Sequence, residues 1–85
     1  MNEEEKLAKK IMELFKENAP NVGDLLLPQR ILTFKMKLSP PETNLYSIVE
    51  HDLESRDYFG IEGTIDKVQY RLKQAGYDFI YNTLC

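Results

Sequence analysis

Cysteine is almost missing from this sequence: among 85 residues only Cys85 carries a thiol. One thiol makes no internal disulfide, so the fold must rest on its core, and the composition suits a reducing, cytoplasmic compartment. Tryptophan is absent and glycine and proline number 4 each, with no repeat and no low-complexity stretch, which excludes fibrous and linker-like chains. No apolar run approaches the roughly 18 residues of a membrane span. The densest, Leu25-Leu26-Leu27, stops at Pro28. The start, Met1-Asn2-Glu3-Glu4-Glu5, is acidic where a secretory signal is basic and then apolar. A basic surplus is also lacking. With 11 Lys and Arg against 14 Asp and Glu the net charge is −3, and the pI near 5.1 disfavours nucleic acid and anionic membranes as partners.

What is present belongs to a globular protein. The chain is 42% hydrophobic and 29% charged, close to the soluble average, and 85 residues make a single domain over 1–85. A chain of this size builds one modest core. Carving a deep catalytic pocket from it would consume much of a stability that totals only about 5–15 kcal/mol.

The spacing of apolar residues predicts five elements. Asn2 as N-cap, acids at positions 3–5, and the stripe Leu7, Ile11, Leu14, Phe15 predict a helix that ends near Asn18 and Pro20. Residues 19–29 read as a loop. Strict alternation over 32–38 predicts a strand with Thr33, Lys35 and Lys37 on its solvent face. Two prolines make 39–44 a turn, and 45–49 a second strand whose buried face is ambiguous between Leu45/Val49 and Tyr46/Ile48. Thr64 as N-cap, with Ile65, Val68, Leu72 and Ala75, predicts a second helix closed by Gly76. The aromatic and β-branched run 77–84 reads as a last strand. The expected fold is α+β, in the order α-β-β-α-β: a three-stranded, mainly antiparallel sheet with two helices on one face. A right-handed crossover would set the strands in the order 2-1-3.

Charge is unevenly distributed. Between residues 39 and 66, Glu42, Glu50, Asp52, Glu54, Asp57, Glu62 and Asp66 face Arg56 alone. On an extended strand Glu50, Asp52 and Glu54 would share one face beside His51, a hard-cation type of ligand set. The spacing and turn glycine of a calcium loop are missing, and one His is too few for zinc, so no metal or other cofactor is expected. Nothing orients His51 towards Ser47, Ser55 or Cys85 as a nucleophile pair. Residues 60–64 precede the expected helix, where a phosphate loop would sit, yet no lysine follows Gly63. The expectation is therefore a non-catalytic protein–protein interaction or regulatory module. Its partner would be a basic protein or a second copy of the chain. Tyr77, Phe79 and Tyr81 would lie on an edge strand, with Glu50, Asp52, Glu54 and Asp57 steering association. The alternatives are a single-stranded nucleic-acid-binding sheet presenting Lys35, Lys37 and Tyr46, and a small metal-dependent enzyme.

Overall fold

The computed structural model describes residues 2–83. The elements run α1 (Glu3–Asn18), β1 (Leu25–Leu26), α2 (Pro28–Met36), α3 (Pro40–Ser55), β2 (Phe59–Thr64), β3 (Lys67–Leu72) and α4 (Gln74–Thr83). The α+β class and the three-stranded antiparallel sheet stand, with β3 central in the order β1-β3-β2. Along the chain the elements fall elsewhere, as α-β-α-α-β-β-α, and four helices rather than two surround the sheet among the described residues. None of these helices is long and apolar enough to cross a membrane.

Helix α1 forms for the reasons its sequence offers. The Asn2 side chain accepts the Glu5 N–H at 2.7 Å, and Leu7, Ile11 and Phe15 are buried together with Met12. Beyond it, local signals lose to tertiary ones. The alternation of 32–38 is equally a helical pattern, with Ile31, Phe34 and Leu38 facing inward at i, i+3, i+7. Leu32 and Met36, expected inside, stand outside at 55% and 84% exposure.

The prolines of 39–44 start a helix instead of making a turn. At the first helical positions a missing N–H costs nothing, and Ser39 and Glu42 close a reciprocal capping box there. Tyr46, Val49 and Leu53 then bury at helical spacing. The segment expected to be the second helix is a hairpin: Gly63 pairs with Val68 and Thr64 with Lys67 around Ile65 and Asp66. Gly63 has φ +102° and lies so close to the Lys67 carbonyl that a Cβ would sit 2.1 Å from its oxygen. Ile65, expected in a buried stripe, is 97% exposed at the tip.

The expected last strand is α4, within which Gly76 allows close packing where a helix end was expected. A Cβ at Gly76 would lie 2.1 Å from the Tyr58 carbonyl oxygen. Leu84, at the end of the expected strand, and Cys85 lie outside the described residues. The core centres on three rings. Phe59 stacks on Tyr70 at 4.4 Å and on Phe15 at 5.3 Å, tying the hairpin to α1.

Candidate functional site

Two helices joined by residues 37–39 carry opposite halves of the surface chemistry. Residues 28–38 hold Arg30, Lys35 and Lys37 and no acid, and all three cations are exposed. The Lys35 ammonium lies 4.7 Å above the ring of Tyr46, which anchors it by a cation–π contact. On α3, Thr43, Asn44, Ser47, His51 and Ser55 are exposed, and Ile48 and Asp52 share the outward side with them, so only the first half of that side is free of charge.

The acids of α3 mostly turn away from that face. Glu42 accepts from the Lys10 ammonium at 2.5 Å, and its side chain is 13% exposed. The Lys10 hydrogen bond, then the Ser39 backbone N–H, hold its pKa down at about 2. Glu50 accepts from the Tyr70 hydroxyl, which in turn lies 2.7 Å from the Tyr46 hydroxyl. Burial is the main cause that pushes Tyr46 up to about 12, and burial also raises Tyr70, with Tyr46 and Glu50 adding to the effect. Asp52 pairs with Arg56 at 3.2 Å, and Glu54 lies 4.0 Å from His51.

The rest of the acidic stretch is similarly engaged. Asp57 meets Lys73 at 3.4 Å, and Glu62 meets Arg71 at 2.7 Å. The Arg71 hydrogen bond lowers the Glu62 pKa, and the same guanidinium donates to the Gly23 carbonyl at 2.9 Å. Of the acids expected to steer association, Glu50, Asp52 and Glu54 lie on α3 and Asp57 follows it, and each has a partner within hydrogen-bond or ion-pair distance among the described residues.

The other expected contact residues are also redistributed. Tyr77, Phe79 and Tyr81 lie on a helix and form no strand edge; Phe79 packs on Tyr58 at 5.1 Å and Tyr77 on Tyr81 at 4.5 Å. Lys35 and Lys37 belong to α2 and the link after it, with no sheet face beneath them. Tyr46 is buried at 4% exposure, so its ring offers no stacking platform. Among the described residues no three His, Cys, Asp or Glu side chains converge as a metal set. In a helix, Glu50 and Asp52 project about 160° apart off the axis, with Glu54 near Glu50, which dissolves the shared strand face. Ser55 Oγ donates to the Asp52 carbonyl at 2.7 Å and is not aimed at His51. Cys85 lies outside the described residues.

A second surface lies off this face. The first half of α1 and the second half of α3 wall an open groove of about 470 Å³. Ala8, Val49, Leu53, Tyr58 and Phe79 supply its apolar lining, and Glu4, Glu5, Lys9, Asp52 and Arg56 its polar lining. Ile48, 58% exposed, also lines it. Nothing local in the sequence signals this groove, because its α1 and α3 walls are at least 39 residues apart in the chain. No protein-family model matches the chain, and no curated protein or solved structure matches it.

Proposed function

We propose that the protein binds double-stranded DNA through α2 and α3. One observation carries the reading: residues 28–38 hold Arg30, Lys35 and Lys37 with no acid, and the start of the linked α3 exposes the uncharged hydrogen-bonding groups of Thr43, Asn44 and Ser47. The order of elements adds support. Two helices joined by a three-residue link and followed by a hairpin have the arrangement of a helix-turn-helix, in which the second helix enters the major groove. That is a likeness of architecture, and architecture alone assigns no function.

In this reading Arg30, Lys35 and Lys37 neutralise phosphates, while Thr43, Asn44 and Ser47, near the start of α3, read base edges. Of the acids of α3, Glu42 and Asp52 are ion-paired locally with Lys10 and Arg56. Charges beyond about 8–10 Å are also screened at ordinary salt. A B-form groove admits a helix, whereas the deep, narrow major groove of RNA does not, so duplex DNA is the substrate class.

The test is fluorescence anisotropy with a labelled duplex of mixed sequence, titrated across salt. Three phosphate contacts predict a slope of log K against log salt of about −2.7, and Lys37→Ala flattens it by about 1. Arg30→Glu with Lys37→Glu abolishes binding in a protein whose circular dichroism is unchanged. Absence of binding at low salt, or binding insensitive to that double change, rejects the reading.

A further inference from the structure

The groove and the outer face of α2 complement each other, and we infer that α2 of a second copy docks in the groove of the first. The inference goes beyond the DNA reading: it adds the apolar stripe of α2 and the groove beside α3, while Arg30, Lys35 and Lys37 serve both contacts. Leu32 and Met36 lie one turn apart on α2 and are 55% and 84% exposed, two of the larger apolar side chains left uncovered. Arg30, Lys35 and Lys37 flank that stripe, making α2 a short cationic amphipathic helix.

The groove offers the matching surface. Its floor is Val49, Leu53 and Phe79 with Ile48 beside them, and Glu4 and Glu5 stand on its α1 wall. Neither carboxylate has an ion-pair partner among the described residues, whereas Asp52 and Arg56 on the opposite wall neutralise each other. Glu4 and Glu5, with Lys9 beside them on the same wall, thus face Arg30 and Lys37 of the docking helix, while Lys35 already lies over Tyr46.

The chemistry of the walls selects the type of occupant. Both walls are helices, whose backbone groups are bonded within themselves, so an incoming strand would find no main-chain partners along them. A helix brings its own backbone bonds and needs only apolar anchors at i, i+4, which Leu32 and Met36 provide. A polar small molecule is poorly served, because no buried side-chain nitrogen or oxygen among the described residues is left without a partner.

Groove and α2 are different patches, so the contact is heterologous and adds copies head to tail. With two apolar anchors the affinity is modest, on the order of 0.1 mM.

Analytical ultracentrifugation over a concentration series tests this with two variants at exposed positions. Met36→Glu removes an apolar anchor of the docking helix and Ile48→Glu charges the groove. Each alone is expected to sediment as a monomer with unchanged circular dichroism, while the wild type gains mass with concentration, less so at high salt. Mixing the two variants is the decisive arm, because one still has an intact groove and the other an intact α2. The mixture is expected to form a one-to-one heterodimer that grows no further. A wild type that stays monomeric at millimolar concentration overturns the inference. So does either variant associating like the wild type, or a mixture of the two folded variants that remains monomeric.

Discussion

Asp57 occupies a backbone position that suits glycine better. Its φ is +61°, in the left-handed region where most side chains crowd the backbone. The position is dictated by the end of α3: the Asp57 N–H reaches the Glu54 carbonyl at 3.0 Å and the Tyr58 N–H reaches Leu53 at 3.1 Å. Those are the paired bonds of a Schellman ending, whose left-handed residue is usually Gly. Asp tolerates the conformation, and its link to Lys73 at 3.4 Å is an exposed contact worth little. Asp57→Gly is therefore expected to raise stability by about 0.5–1 kcal/mol in urea or thermal unfolding, with α3 ending at the same residue. A loss of stability would mean that the Lys73 contact outweighs the backbone strain.

At the scale of elements, the polar chain from Tyr46 through Tyr70 to Glu50 fastens α3 to β3. Tyr70 is its middle member. Tyr70→Phe removes the donor to Glu50 and the partner of Tyr46 together, and is expected to cost about 1–3 kcal/mol. Tyr46→Phe leaves the Tyr70–Glu50 bond intact and should cost about 0.5–1.5 kcal/mol, so chemical denaturation ranks the two. Equal costs would show that Tyr70 is not the hub. This pairing also marks how far the sequence was legible. Helix α1 was readable because its cap, its first-turn acids and its stripe agree locally. The α+β class and a three-stranded antiparallel sheet are as expected, but the strands fall on 25–26, 59–64 and 67–72 and not on any of the expected segments. The middle of the chain was not readable, for a definite reason. Residues 32–38 fit a period of two and a helical face equally well, and Pro40-Pro41 serves a turn or a first helical turn. Partners far along the chain, α1 and Tyr70 among them, decide which side of 45–53 is inside. The acids of 39–66 form an unusual cluster in the sequence, but their partners Lys10, Tyr70 and Arg71 come from other elements. A one-dimensional charge sum does not contain that information.

For the molecule as a whole, those pairings set the pH range over which the fold holds. Glu42 and Glu62 have pKa values lowered in the folded state, Glu42 to about 2 from an ordinary 4.5, so folding favours their charged forms. Their contribution is complete above about pH 4.5 and drains away as the pH falls, for Glu42 towards 2, when protonation severs the contacts to Lys10 and Arg71. Tyr46 behaves in the opposite sense. Its hydroxyl is raised from 10 to about 12, so folding favours the neutral form. That stability is intact below pH 10 and is lost as the pH climbs towards 12, with Tyr70, also raised, acting in the same direction. The expected profile of unfolding free energy against pH is thus a plateau between about 5 and 10 with a fall at each end, the two falls belonging to different residues. Glu42→Gln should lower the plateau and shrink the acid fall while leaving the alkaline one as it was. Tyr46→Phe should shrink the alkaline fall and leave the acid one. Urea titrations across pH separate the two limbs. Should Glu42→Gln alter the alkaline limb as strongly as the acid one, the Lys10–Glu42 contact between α1 and α3 and the Tyr46–Tyr70 contact between α3 and β3 would have to be coupled through α3, and the two ends of the pH range would share a single origin.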